Sequence, residues 1–190
     1  MLSFVISSKD IKDDIFIPKY YDTVLRNEIL SLKDTKRLYV LGDLIDKGII
    51  EAKTGDEIGK MAYGTGDIPF VRTSDISNWE IKAVPKQGVS KEIYDQYAEK
   101  QDVRPNDILM VRDGSYLIGV TCMIHEMDLP LLYQSHILKF RVVDNSVISP
   151  EELFLALNSP LVQRQIRSFQ FTADIIDTIG NRYREIVLPL

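Results

Sequence analysis

Gly42-Asp43-Leu44-Ile45-Asp46-Lys47-Gly48 is the segment whose residue types come nearest to chemistry. Carboxylates beside glycine at a strand end can hold paired metals for the hydrolysis of phosphate esters. Two metals also need an Asp-x-His pair upstream, a Gly-Asn-His downstream and further histidines, because each ion takes several imidazole and carboxylate ligands. The chain has only His125 and His136, no Asp-x-His precedes Asp43, and the nearest downstream analogue, Gly180-Asn181-Arg182, carries arginine where the imidazole belongs. The segment therefore reads as a turn or a short helix. Other catalytic patterns are missing: no Walker A loop, no Gly-x-Gly-x-x-Gly, no His-Glu-x-x-His and no Gly-x-Ser-x-Gly. The glycines of Tyr63-Gly64-Thr65-Gly66-Asp67 suggest a mobile loop; with no lysine and helix after them they make a poor phosphate cradle. The sequence also lacks a cofactor-binding glycine motif and the Asn/Asp-Pro-Pro-Tyr/Phe motif of adenine N6 methylation, so any methylation belongs to another chain or domain.

The elements that must position the remaining candidates follow an α+β pattern. Tyr21, Val24, Leu25, Ile29 and Leu32 recur at helical spacing, and a second helix is expected over Ser90 to Glu99 with Ser90 as its cap. Ile68 to Thr73, Asp107 to Val111, Ile118 to Ile124 and Ile137 to Val143 are short runs rich in branched apolar residues between turn formers, as strands are. They predict a mixed, largely antiparallel twisted sheet with flanking helices. In Ser149-Pro150-Glu151-Glu152 serine caps, proline takes the first helical position and glutamate closes a capping box. A second start at Asn158-Ser159-Pro160 leads into Val162, Ile166 and Phe169 on one apolar face, with Arg164 and Arg167 directed elsewhere, so the C-terminal part is expected to be a helical hairpin. Ile186 to Leu190 is an apolar, strand-like end without a polar tail, which reads as a cut through a longer polypeptide.

The 190 residues are 45% hydrophobic and 27% charged, an ordinary globular composition with enough length for one good core. No apolar run reaches the ~20 residues of a membrane helix and the N-terminus lacks a basic lead, so a soluble, cytoplasmic protein without a membrane partner is expected. Cys122 is the sole cysteine, which excludes an internal disulfide and a cysteine-based zinc site; it reads as a buried core thiol. The net charge of −5 argues against a protein that grips nucleic acid by bulk electrostatics, although a local cationic face can act within an acidic chain when a larger partner supplies most phosphate contacts.

Four segments in order carry a family resemblance. They are Leu41-Gly42-Asp43-Leu44-Ile45; Gly66-Asp67-Ile68-Pro69-Phe70-Val71-Arg72-Thr73-Ser74-Asp75-Ile76; Val103-Arg104-Pro105-Asn106-Asp107-Ile108-Leu109-Met110-Val111-Arg112-Asp113-Gly114-Ser115; and the stretch from Gln134-Ser135-His136 through Leu157-Asn158-Ser159-Pro160 to Ile186-Val187-Leu188-Pro189-Leu190. Together they resemble the target recognition domain of type I restriction-modification specificity subunits, and the equivalent domain fused to adenine-N6 DNA methyltransferases. Asn106 stands where that pattern has glycine, a change a turn tolerates. The resemblance covers about residues 37–190, with 1–36 as a helical lead-in to the same globular unit. Ile15 to Asp22 looks like the join to a preceding methyltransferase, and the separate and fused forms both stay open.

The resemblance implies a non-catalytic reader of double-stranded DNA that holds no cofactor. An adenine-N6 methyltransferase subunit or domain would bind S-adenosylmethionine and, in a type I complex, a restriction and motor subunit would cut. Base edges are read by Arg or Lys on guanine, by Asn or Gln on adenine, and by small hydroxyls on either. The candidates are Lys60, Tyr63 and Thr65 from the glycine-rich loop; Arg72, Ser74 and Asn78 after the first signature strand; Arg112, Asp113, Ser115 and Tyr116 around the second turn; and Gln134, Ser135 and His136. Arg72 and Arg112 fit base contact, phosphate contact or scaffold ion pairs, such as Arg72 with Asp75. Asp113 also fits a turn-stabilising role, and His136 a hydrogen-bonded place under the sheet. Arg164, Arg167, Arg182 and Arg184 fit solvated helix faces or methyltransferase contacts. Two other classes are a protein-interaction module of this fold without DNA binding, which the acidic balance allows, and a metallophosphatase-like hydrolase, which the missing histidines disfavour.

Overall fold

The computed structural model describes residues 4–114, 116–171 and 177–190. The helices are α1 (Thr23–Ser31), α2 (Leu41–Asp46), α3 (Lys91–Gln101), α4 (Pro150–Asn158) and α5 (Pro160–Ser168). The strands are β1 (Leu38–Val40), β2 (Ile50–Thr54), β3 (Ile68–Val71), β4 (Ile76–Ser77), β5 (Glu80–Ile81), β6 (Gly88–Val89), β7 (Ile108–Val111), β8 (Asp113–Gly114), β9 (Thr121–Met123), β10 (Leu132–Tyr133), β11 (Ile137–Val142), β12 (Asp177–Thr178) and β13 (Val187–Pro189).

The architecture is α+β, and among the described residues the named strands pair antiparallel except β10 with β3, next to which an isolated bridge between Asp56 and Gln134 is also parallel. The strands do not join into one sheet. Among the described residues they form a four-stranded sheet, β2-β11-β7-β9, a three-stranded one, β10-β3-β6, and three two-stranded pairs. The four-stranded sheet is covered on both faces, which explains why β7 is apolar without polar alternation and why β11 is buried from Ile137 to Phe140 even though Lys139 and Arg141 alternate with its apolar residues. Successive side chains alternate between faces. Ile108 and Met110 enter a core with Leu138, Phe140 and residues of α2, α4 and α5, whereas Leu109 and Val111 enter a second core with Val71, Ile76, Cys122 and Tyr133. Burial pushes the Cys122 thiol up to about 12, leaving it an inert core group.

The helix starts follow their caps. Asp22 accepts from the Val24 and Leu25 amides, so α1 begins at Thr23 and Tyr21 falls in a preceding 3-10 turn. The Ser149/Glu152 box closes in both directions at 3.1 and 2.8 Å, and Ser159 ends α4 while capping α5, which makes the C-terminal hairpin. The expected strand over 118–124 shortens to β9. Gly119 sits at φ 89° in a turn, and a Cβ there would lie 3.0 Å from Ile166 Cγ2 on α5. Likewise Gly42 is required in α2 because a Cβ would meet the Arg184 carbonyl oxygen at 2.8 Å. Among the described residues no helix is long and apolar enough to cross a membrane.

One polar cluster is built into this core. Lys139 on β11 and Asp107 just before β7 are each 1% exposed. The Lys139 ammonium donates to the Gln101 and Asp102 carbonyls at 2.6 and 2.7 Å and lies 3.5 Å from Asp107. Arg141 grips Asp107 with two bonds of 2.7 Å and donates to Asp102 at 2.6 Å. Burial pushes the Lys139 pKa below its usual value, with Asp107 opposing that shift. Arg104 and Arg141 hold the Asp102 carboxyl down at about 2. A buried charge is tolerated only when paired and fully hydrogen-bonded. Asp107→Ala leaves two cations without their shared carboxylate and is expected to lower unfolding free energy by about 3–5 kcal/mol in urea titration; a loss below ~1 kcal/mol would remove this cluster from the stability account.

Candidate nucleic-acid interface

The loop from β2 to β3 leaves the sheet at a fixed point. A Cβ on Gly55 would collide with the Tyr133 carbonyl oxygen, and the buried Asp56 carboxylate pairs with Lys100 and accepts from Gln101 at 3.1 Å. A 3-10 turn over Lys60–Ala62 follows and exposes Lys60. Tyr63 then stacks on Phe70 of β3, with centroids 5.5 Å apart and planes at 30°. The Arg72 guanidinium carbon lies 5.7 Å from the Tyr63 centroid. Thr65 is a fastener: its hydroxyl donates to the Ala62 carbonyl at 2.8 Å and accepts from the Ser90 amide at 3.0 Å.

The Arg72 and Asp75 side chains do not form the ion pair that their spacing suggests. Asp75 is fully buried, and its carboxylate accepts instead from the backbone amides of Arg72 at 3.0 Å and Lys86 at 3.3 Å. That clamp folds residues 72–86 into a compact loop, further held by Lys82, which donates to the Ser74 carbonyl. At its tip β4 and β5 are joined by Asn78 and Trp79, both at positive φ (52° and 69°), the requirement of a type I′ hairpin turn. Both are exposed, and Trp79 meets Phe154 edge-on at 6.1 Å.

The second group is organised by Asp113. Arg112 donates to its two oxygens at 3.0, 3.0 and 2.6 Å, His136 lies 3.3 Å away through Nδ1, and the Thr178 hydroxyl donates to it as well. Burial raises the Asp113 pKa, but the Arg112, Thr178 and His136 contacts outweigh it and hold the carboxyl below its ordinary value. Arg112 and Asp113 thus neutralise each other inside the turn. Ser135 donates to Glu57 at 3.1 Å, Gln134 is buried, and Tyr116 is 87% exposed. Ser115 lies outside the described residues.

The structure therefore sets Arg72 against Tyr63, on whose loop Lys60 and Thr65 also lie, with Ser74 and Asn78 on the loop that Arg72 opens. It gathers Arg112, Asp113 and His136 into a separate polar knot. Lys82 and Lys86 were not among the sequence candidates, yet the Asp75 clamp brings both into the loop that Arg72 opens. Among the described residues, Lys60, Arg72, Lys82 and Lys86 enter no ion pair with Asp or Glu. The C-terminal arginines are mostly committed: Arg164 to Glu28, Arg184 to Asp46 at 2.6 Å, and Arg182 to the Phe169 and Thr178 carbonyls above the Phe171 ring. Arg167 is exposed. Asp43 is exposed and Asp46 is taken by Arg184, so the glycine-aspartate segment is the helix α2. Among the described residues no three His, Cys, Asp or Glu side chains are arranged to hold a metal.

No family model and no curated protein matches this sequence. Solved structures share its fold. The S subunit of a type I restriction-modification system from M. genitalium superposes with a TM-score of 0.55 at 13% identity, over 83% of this chain and 35% of that one. The HsdS subunit from Thermoanaerobacter tengcongensis gives 0.52 at 14%, over 88% and 38%. The type IIG restriction endonuclease BpuSI gives 0.58 at 9%, over 90% and 26%. The fold expected from the four sequence segments is thus the fold observed, and this chain spans from about a quarter to two fifths of the length of those proteins.

Asp113 offers a check on the second group. Its folded pKa lies below the unfolded value, so its stabilisation is present above pH ~4 and is lost as pH falls through the folded value. Asp113→Asn is expected to lose about 1–3 kcal/mol at pH 7. The gap from wild type should narrow toward pH 3 in denaturant titrations; a gap independent of pH would refute a charged Asp113 as the organiser.

Proposed function

We propose that this chain reads a DNA sequence for a restriction-modification system, as a target recognition domain over residues 37–190 preceded by a helical lead-in. It delivers a separate or fused adenine-N6 methyltransferase, and in a type I complex the restriction subunit, to the target. The observation that carries the reading is a conjunction. A fold shared with S subunits and a type IIG restriction endonuclease presents, on loops beside β3, cationic and hydrogen-bonding side chains not taken up by internal ion pairs.

The mechanism is a division of labour. Lys60, Tyr63, Asn78 and Tyr116 are exposed or half-exposed on loops and can meet base edges, whereas Thr65, Asp75 and Asp113 set the shape of those loops. The partner binds S-adenosylmethionine, flips the adenine out of the duplex and methylates its N6. With a net charge of −5 the isolated chain neutralises few phosphates, so its own affinity is weak and its salt dependence shallow, and the partner supplies most of the backbone grip. The proposed setting is the cytoplasm.

Selection from a random duplex library at low salt tests this, with the chain joined to or mixed with its cognate methyltransferase and the bound fraction sequenced. Enrichment of a short adenine-containing motif is expected. No enrichment by an assembled, active complex would overturn the reading and favour a protein-interaction module of the same fold.

A further inference from the structure

Arg72 stands out because its charge is placed but not answered. Its Nε is buried, and among the described residues its guanidinium makes no hydrogen bond or ion pair. The carboxylate three residues on is no partner, since Asp75 spends its oxygens on two backbone amides. The Tyr63 face, itself stacked on Phe70, is the group that orients the guanidinium. A ring face attracts a cation but accepts none of the five N–H bonds that arginine can donate. Arginine stays charged at any physiological pH, so a half-buried fork in this condition calls for an acceptor from outside.

We infer that Arg72 is the fork that holds a backbone phosphate of the bound duplex, with Tyr63 as its positioning residue; this rests on the DNA-reading function proposed above. A phosphodiester suits the geometry better than a base edge. The guanidinium is recessed against Tyr63, and phosphates form the outer ridges of a duplex, whereas base edges lie deep in a groove. Two anionic oxygens match the planar fork. Lys82 and Lys86, carried on the loop that Arg72 opens, favour an anion there, as does exposed Lys60 in the loop that carries Tyr63. Arg72 then fixes register without specifying sequence, and the readers of sequence are its neighbours.

The test uses the chain assembled with its methyltransferase and measures anisotropy of labelled target and scrambled duplexes across a salt series. Arg72→Gln should weaken both duplexes by the same factor, about tenfold, and flatten the slope of log K against log salt by about one. Its melting temperature should be unchanged, because the fork holds no acceptor within the protein. In wild type, a neutral methylphosphonate at one backbone position should weaken binding, and in Arg72→Gln the same substitution should add nothing. Arg72→Lys keeps the charge, and should keep the salt slope while losing part of the affinity. Loss confined to the target duplex would make Arg72 a base reader and overturn the inference, and a fall in melting temperature without loss of binding would make it structural. A wild-type complex that binds neither duplex contradicts the recognition function itself, and the anchor with it.

Discussion

The molecule depends on keeping Lys139 and Asp107 charged inside its core. Neither can be buried alone, so the chain must bring Arg141, Asp102 and the last carbonyls of α3 around them. This fixes the end of α3 against the four-stranded sheet. The constraint passes outward through Gln101. Its backbone carbonyl serves Lys139, while its side chain holds Asp56 and exchanges two hydrogen bonds with the Tyr133 backbone at 3.0 and 2.9 Å. Asp56 and Tyr133 are also where the β2–β3 loop departs and where β10 pairs with β3. The loop bearing Lys60 and Tyr63 is thus anchored to a hydrogen-bonded polar core, and its other end is stapled by Thr65.

The same physics divides the signature residues from the candidate readers. Asp75 and Asp107 each accept the amide of the residue three positions earlier, Arg72 and Arg104, at 3.0 and 2.8 Å, and Asp113 gathers Arg112 and Thr178. These carboxylates close turns at the ends of strands, a pattern set by backbone geometry rather than by what the loops meet. Arg72 and Arg112 sit at similar points in that pattern yet differ: Arg112 is neutralised by the next residue, whereas Arg72 is not, because its nearby carboxylate is occupied by backbone.

Much of this was legible in the sequence where the determinants are local. The Ser149/Glu152 box, the Ser90 and Ser159 caps and the apolar runs of β3, β7 and β11 announce themselves within a few residues. What was not legible is long-range. Lys139 interrupts a strand pattern as though it faced solvent, and only the end of α3 makes it a core residue. The spacing of Arg72 and Asp75 suggested an ion pair because charge is visible in a sequence and competition from backbone amides is not. Gly119 ended a run that looked continuous because the glycine answers to α5, far along the chain.

Hydrogen exchange of the assembled chain, with and without a duplex carrying its selected target, tests most directly whether the loops beside β3 meet DNA. Slowed exchange concentrated in 60–65 and 72–86, with α4 and α5 unchanged, is the predicted result. Slowing that spares both loops and falls on α4 and α5 would contradict the account.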